Sequence, residues 1–291
     1  MVERKYMLDI ENYLAPTSIA EAAEALAAGN VAVLAGGTDL MLQLEAKDAA
    51  TLMNIRRIEE MRGVNDDGGR IRIGALTTVT EVMSDGVIAA TAPVIAQTAD
   101  RFASNQIRNM ATIGGNICNA SPAGDMIIPL MLLDAEVELA RWDDGKVATR
   151  SVALAEFFTA PGRTVRADTE LLTAITFARP SANFFAEFDK TGPRPALEIS
   201  TVSVGVAGVR ANGGLQAPRI AYGSVAPTPI RALKAEAVLD GQTINDDIIA
   251  AALAAADEDV TPISDVRASE WYRRHLVRVM TEEVLNNVAH G

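Results

Sequence analysis

The spacing of apolar residues near the start of the chain predicts a small α/β unit. Residues 20–28 are rich in Ala and Leu and follow Ser18, a residue type that favours helix N-termini. Short apolar runs at 31–35 and 51–55 have the length of buried strands. We therefore expect a βαβ-like first lobe over residues 1–58.

The pattern then changes to alternating apolar and polar residues separated by Gly- and Asp-rich turns, which is typical of antiparallel strands. A second lobe is therefore predicted over residues 59–178. Its expected elements are a strand at 70–74, a helix at 93–102, a hairpin of 135–141 with 146–152, and a strand at 171–177.

A third unit is predicted over residues 183–291, beyond the boundary sequence Pro-Ser-Ala-Asn at 180–183. Apolar runs at 199–210 and 215–225 flank Asn-Gly-Gly and predict an antiparallel hairpin. Helices are expected at 245–257 and 268–289. In the last helix the following residues approximate one buried stripe: Trp271, Leu276, Val279, Met280, Val284 and Val288. The predicted fold class is α+β.

Composition narrows the possible functions of the 291-residue chain. A net charge of −12 and no clustered basic stripe argue against nucleic-acid binding. Cys118 is the only cysteine, and a [2Fe–2S] cluster needs about four protein ligands, so we expect no cluster and no metal in this chain. No apolar run approaches the ~20 residues of a membrane span and no signal segment is evident, which predicts a cytoplasmic protein.

Two glycine pairs are the candidate ligand-binding sites of the chain. Gly36 and Gly37 precede Thr38, and Gly114 and Gly115 follow Thr112. Paired glycines let an anion approach successive backbone N–H groups, and a threonine adds a hydroxyl donor. A simple turn is the alternative for each pair alone. The two pairs together favour a phosphate-bearing cofactor held between two lobes.

The strings AGGTDL at 35–40 and TIGGNICNASPAGD at 112–125 resemble the two FAD-binding signatures of molybdenum-hydroxylase flavin subunits. The similarity extends to TGPR at 191–194, LEIS at 197–200 and RAS at 267–269. The resemblance is closest to bacterial xanthine dehydrogenase FAD subunits, and carbon monoxide dehydrogenase medium subunits are also similar. It implies a two-lobed FAD-binding fold of the vanillyl-alcohol-oxidase type followed by a C-terminal α+β domain.

The resemblance also implies which residues bind FAD. The first signature would wrap the pyrophosphate, and the second would donate hydrogen bonds to phosphate or ribitol. Replacing Gly36 or Gly115 by valine would place a side chain in the space of the pyrophosphate and abolish FAD retention. No catalytic acid or base is implied. The implied FAD-binding residues are Val33, Leu34, Ala35, Gly36, Gly37, Thr38, Asp39, Leu40, Phe102, Thr112, Gly115, Asn116, Cys118, Asp125, Leu172 and Lys190.

Several of these residues have a second interpretation. Lys190 would lie near the flavin ring, where a cation favours reduced flavin, or it is a solvated strand lysine. Cys118 would pack against the flavin as a small side chain rather than act in redox chemistry. Arg267, Tyr272 and Arg273 either fix the C-terminal domain against a partner or are solvated helix residues.

The resemblance implies an FAD-binding electron-transfer subunit of a heteromeric enzyme. A large subunit would hold the molybdenum cofactor and a small subunit would hold [2Fe–2S] clusters, together forming a dimer of heterotrimers. FAD would pass electrons to NAD⁺ or another acceptor. The alternatives are a stand-alone FAD oxidoreductase of the same fold and a non-catalytic nucleotide-binding module.

Overall fold

A computed structural model of the chain describes residues 10–43, 49–194 and 198–290. Helices surround one parallel and two larger antiparallel sheets, so the predicted α+β class is confirmed. The start of the sequence and Leu197, which belongs to one of the resembling segments, lie outside the described residues.

The first lobe is a three-stranded parallel sheet of order β1-β3-β2. Its helix begins after Ser18, whose hydroxyl accepts the Glu21 N–H at 3.2 Å. The sequence did not predict the first strand, because three exposed residues carry no apolar pattern. The elements are β1 Asn12–Leu14, α1 Ile19–Ala27, β2 Val31–Leu34, α2 Leu40–Gln43 and β3 Thr51–Asn54.

The second lobe is an antiparallel sheet of order β4-β5-β10-β6-β7 with helices inserted between its strands. The predicted helix and hairpin are present here. The elements, after a 3-10 turn at Glu59–Met61, are β4 Val64–Asp66, β5 Arg70–Gly74, α3 Val79–Ser84, α4 Gly86–Thr91, α5 Pro93–Asp100, α6 Asn105–Arg108, α7 Ile113–Asn119, α8 Ile127–Leu132, β6 Glu136–Asp143, β7 Lys146–Ala153, α9 Leu154–Phe157, β8 Phe158–Ala160, β9 Arg163–Thr164 and β10 Glu170–Ala178.

The C-terminal part is an antiparallel sheet of order β11-β12-β13-β14 covered by helices. The predicted hairpin turns at Asn212 and Gly213, which both adopt positive φ as a two-residue hairpin turn requires. The elements are β11 Phe184–Thr191, β12 Val202–Ala211, β13 Gly214–Gly223, β14 Ile230–Arg231, α10 Leu233–Leu239, α11 Asp246–Asp259 and α12 Glu270–His290.

Two hydrophobic cores hold these layers together. The first is continuous from α1 across the strands of the second lobe and reaches Phe188 on β11. The second lies between the C-terminal sheet and helices α10 to α12. The first two lobes therefore share one interior, and the division at 1–58, 59–178 and 183–291 stays a prediction.

The predicted buried stripe of α12 is partly wrong. Trp271 is 72% exposed and Val279 is 43% exposed, whereas Val277 and Leu285 are buried. Trp271 stacks on His275 of the same helix and stays exposed, so the apolar spacing there does not report a packed face. Within the described ranges, each helix is too short or too polar to span a bilayer.

Candidate functional site

The loop after β2 contains the first glycine pair and packs tightly against the second lobe. A Cβ atom at Gly36 would overlap the carbonyl of Met110, so only glycine permits this approach. Gly37 has φ +76, a backbone conformation that favours glycine. The glycines therefore bring residues 35–39, which we call the first glycine loop, against Met110. Met110 lies two residues before Thr112 in the sequence.

The first glycine loop presents unused hydrogen-bond donors. Among the described residues, no acceptor receives the backbone N–H groups of Gly36, Gly37, Thr38 or Asp39, and the Thr38 hydroxyl has no partner either. These residues are exposed or half-buried. Four successive free N–H groups at a glycine-containing bend can bind an anion.

The second glycine loop, residues 111–116, is built differently. An isolated bridge pairs Thr112 with Thr78, and Thr112 caps α7. A Cβ at Gly114 would lie 2.6 Å from the Ala75 Cβ, so this glycine permits close packing. The first four N–H groups of α7 all have acceptors inside the chain: Ile113 to Thr77 O, Gly114 to Ala75 O, Gly115 to Thr112 Oγ1 and Asn116 to Thr112 O.

The free polar group of this second loop is a side chain. Asn116 Oδ1 is buried and has no hydrogen-bond partner among the described residues. A buried amide oxygen without a partner costs roughly 1–3 kcal/mol, which a bound ligand that donates a hydrogen bond would recover. The Asn116 Oδ1 atom can therefore accept a hydrogen bond from a ligand.

Cys118 follows on the same helix. Its side chain is exposed, yet burial by the surrounding protein raises the pKa of its thiol, and the nearby positive charge of Arg166 only partly opposes that rise. This environment favours a packing residue over a reactive thiolate.

Asp125 and Lys190 form a buried ion pair. Lys190 Nζ lies 2.7 Å from Asp125 Oδ2, and the two side chains are 5% and 7% exposed. Ser200 Oγ donates to the other carboxylate oxygen over 2.5 Å. The interpretation of Lys190 as a solvated strand lysine is therefore wrong, because its ammonium group is buried against a carboxylate.

The position of Lys190 is fixed by its strand. β11 pairs with β12 without a bulge, and Lys190 lies opposite Ser203. Arg101 Nη2 donates to the Lys190 carbonyl at 2.9 Å, and Arg101 Nη1 pairs with Asp189 at 2.7 Å. The backbone at this lysine is thus held from two sides.

The remaining predicted residues lie in three places. Phe102 is half-buried in a turn that Arg108 stabilises by donating to the Phe102 carbonyl at 2.8 Å. Leu172 is only 4% exposed and belongs to the first core, so it offers little surface to a ligand. Val33, Leu34 and Leu40 flank the first glycine loop, half-buried.

Ser200 and Arg273 are residues of this region that the sequence did not identify correctly. Arg273 is 3% exposed and donates to the Thr201 and Ser224 carbonyls, so its interpretation as a solvated charge is wrong, and a contact to a partner stays a prediction. Ser200 lies in the segment 197–200 that was noted for its resemblance, which was the available signal.

The residues present fit a dinucleotide such as FAD. The first glycine loop supplies free N–H groups for a diphosphate, and the unpartnered amide of Asn116 is on the helix beside it. The close approach of Gly36 to the Met110 carbonyl places the two loops next to each other. The predicted reason for glycine at 36 is wrong, however: a side chain there would strike Met110 rather than enter ligand space.

Comparisons with known proteins agree with this geometry. Residues 7–180 match the FAD binding domain in molybdopterin dehydrogenase, and residues 188–288 match the CO dehydrogenase flavoprotein C-terminal domain. A xanthine dehydrogenase FAD-binding subunit of Escherichia coli O157:H7 is 33% identical over 96% of each chain. A carbon monoxide dehydrogenase medium chain of Afipia carboxidovorans is 32% identical over 92% of this chain and 93% of its own length.

Solved structures give the same result. A chain of carbon monoxide dehydrogenase from Hydrogenophaga pseudoflava superposes with a TM-score of 0.91 at 28% identity, covering 97% of this chain and 98% of that one. A chain of quinoline 2-oxidoreductase from Pseudomonas putida 86 gives 0.87 at 26% identity, with coverage of 96% and 97%. The predicted cofactor and fold are confirmed. The chain belongs to the family of FAD-binding subunits of molybdenum hydroxylases and is an FAD-dependent oxidoreductase subunit.

Proposed function

We propose that the chain binds FAD between its first two lobes as the electron-transfer subunit of a heteromeric molybdenum hydroxylase. Bound FAD supplies two-electron redox chemistry, taking electrons from [2Fe–2S] clusters of a small partner and giving them to NAD⁺ or another acceptor. The observation that carries the proposal is the run of four N–H groups at 36–39 that lack an acceptor in the described part of the chain, beside the buried Asn116 Oδ1, which lacks a donor there.

Each part of the site has one task. The first glycine loop and the Thr38 hydroxyl bind the diphosphate, and Asn116 binds a donor group of the cofactor. Thr112 and Gly115 position Asn116 and leave space beside it, since their own polar groups are engaged with each other. Lys190, held by Asp125, supplies positive charge near the flavin ring.

The redox partners are proposed on other chains. A sequence with one cysteine cannot provide the ligands of a cluster, which supports clusters on a small subunit. The relatives carry names such as medium chain and FAD-binding subunit, which supports an assembly with a large molybdenum-cofactor subunit. We propose a cytoplasmic dimer of such heterotrimers, testable by the mass and metal content of the complex purified from its native cells.

Ligand discrimination tests the site. The purified chain should bind FAD at one per chain, and FMN, which lacks the diphosphate bridge to adenosine, at least about tenfold more weakly. ADP-ribose should compete with FAD, because it carries the same diphosphate. Fluorescence quenching on titration measures all three affinities.

The same titration separates the alternatives. Equal affinity for FMN and FAD would contradict the role of the first glycine loop. A chain that oxidises a substrate with bound FAD and no partner would instead support a stand-alone oxidoreductase. A chain that binds ADP-ribose but no flavin would support a nucleotide-binding module.

A further inference from the structure

A line of buried polar contacts leads from Asp125 into the C-terminal domain. Ser200, whose hydroxyl binds Asp125, accepts the Ser224 hydroxyl at its own carbonyl over 2.9 Å. The Ser224 carbonyl accepts Arg273 Nη1 at 2.9 Å, and the same nitrogen lies 2.5 Å from the Thr201 carbonyl. Four hydrogen bonds thus join Asp125 to the start of α12.

Ser224 is the point at which three segments meet. Its N–H donates to the Pro122 carbonyl at 2.8 Å, its hydroxyl binds Ser200 and its carbonyl binds Arg273. Its φ is +64, which is uncommon for a residue with a side chain. Such a conformation persists only where surrounding contacts determine it, and here every polar backbone and side-chain group has a partner.

Arg273 is itself held firmly. Its Nη2 donates to Asp265 Oδ1 at 2.8 Å, and that oxygen also accepts the N–H groups of Arg267 and Ala268. Burial of Asp265 opposes ionisation, but the hydrogen bond from Arg273 and those backbone donors outweigh it and lower the pKa of Asp265 to about 2. The guanidinium therefore faces a carboxylate that is ionised at neutral pH on one side and two carbonyls on the other.

We propose that Arg273 is a positioning residue for the flavin site. By binding the Thr201 and Ser224 carbonyls, it fixes the Ser200 hydroxyl on one oxygen of Asp125, which leaves the other oxygen to hold Lys190. This inference rests on the proposed function, because that function places Lys190 near the flavin. It adds a residue on α12, remote in sequence from both glycine loops.

The variants are chosen to keep the fold. Arg273→Lys keeps the buried positive charge opposite Asp265 but cannot reach both carbonyls at once. Ser200→Ala removes only the hydroxyl. Lys190→Met defines the effect of losing the ammonium. Arg274→Gln is the matched control, because Arg274 is the neighbouring arginine of α12 and pairs with Asp257 and Glu270 instead.

The first measurement needs no cofactor. The chain has five lysines, so the NMR signal of the Lys190 side chain can be assigned by its loss in Lys190→Met. In the FAD-free chain, Arg273→Lys and Ser200→Ala should each shift that signal, and Arg274→Gln should not. An unshifted signal in Arg273→Lys would overturn the inference.

The second measurement uses FAD affinity in the oxidised and reduced states. Arg273→Lys and Ser200→Ala should each weaken the binding of reduced FAD about tenfold more than the binding of oxidised FAD. This difference corresponds to a flavin reduction potential lower by about 30 mV for a two-electron couple. The physical reason is that a displaced ammonium no longer favours reduced flavin. Lys190→Met should give the largest change in the same direction.

The double variant Arg273→Lys/Ser200→Ala should lower the potential by as much as the stronger of the two single variants, since both substitutions act through the same hydroxyl. Additive effects, or a lower unfolding midpoint with unchanged potential, would show Arg273 to be merely structural. A wild-type chain that binds no FAD would contradict the proposed function instead. The Lys190 signal would still decide the role of Arg273.

Discussion

The two glycine loops look alike in sequence and differ in what they leave free. In each pair the first glycine permits close packing, at Met110 for Gly36 and at Ala75 for Gly114. The first loop then leaves four N–H groups that no described residue accepts, whereas the first N–H groups of α7 all bind within the chain. A glycine pair therefore marks a close backbone approach, and the hydrogen bonds decide whether a ligand can bind there.

The largest expected effect tests the packing role that the loops share. Gly36→Ala should lower the free energy of unfolding by about 3 kcal/mol, because its methyl group would overlap the Met110 carbonyl. Gly114→Ala should cost somewhat less, since its nearest atom is the Ala75 Cβ at 2.6 Å. Urea unfolding measures both.

Gly86→Ala is the control for these two variants. Gly86 begins α4, has no atom near the added methyl group and does not adopt a positive φ. Its stability should be unchanged or slightly higher, as for other glycine-to-alanine changes in helices. Equal losses in all three variants would refute the packing explanation.

Asn116→Leu should separate ligand binding from stability. Removing a buried amide without a partner should raise the stability of the FAD-free chain by about 1 kcal/mol. FAD affinity should fall about tenfold, because the cofactor loses a hydrogen-bond partner. Thermal unfolding without FAD and a fluorescence titration give the two numbers, with Asn119→Leu on the same helix as the comparison. A variant that loses stability and keeps its affinity would contradict this role.

A pair of threonine variants makes the contrast between the loops directly. Thr112→Val should cost about 1 kcal/mol of stability, because it removes the cap that accepts the Gly115 N–H at 3.1 Å. Thr38→Val should change the free energy of unfolding by less than about 0.5 kcal/mol, since the Thr38 hydroxyl has no partner in the described chain. It should lower the affinity for FAD several-fold. The same outcome for both variants would remove the distinction between the loops.

The smallest effect concerns Cys118 at the end of the second loop's helix. Its raised pKa means less thiolate at a given pH, so alkylation at pH 8 should be a few-fold slower than for free cysteine. The rate should reach that of free cysteine only at higher pH, and FAD should slow it further. Iodoacetamide labelling followed by mass spectrometry reports one thiol, because the chain has one. A rate above that of free cysteine would indicate a depressed pKa.

Local patterns predicted the elements that local chemistry determines. The hairpin of β12 and β13 was evident because Asn212 and Gly213 suit positive φ between two apolar runs. The start of α12 was misjudged, since Trp271 is apolar but stacks on His275 of the same helix and stays 72% exposed. Burial depends on what packs opposite, which spacing cannot report.

In the site, too, the residues could be predicted but their distant contacts could not. Both glycine loops were found from the residues themselves, and Asn116, Asp125 and Lys190 through the resemblance, but their partners were not found. The acceptors that occupy the second loop come from Ala75 and Thr77, about forty residues earlier in the chain. The buried role of Arg273 depends on carbonyls of two distant turns. Sequence spacing carries no information about such contacts.

The helix α1 illustrates what a shared interior means for the protein as a whole. Ala22, Ala23 and Leu26 are buried, and the helix packs on β6 and β10 of the other lobe. A fragment cut near residue 58 would therefore expose that apolar face to water and lose the partner that orders it. Heat or urea should melt both lobes in a single cooperative transition, so the cofactor cleft is assembled whole or is absent.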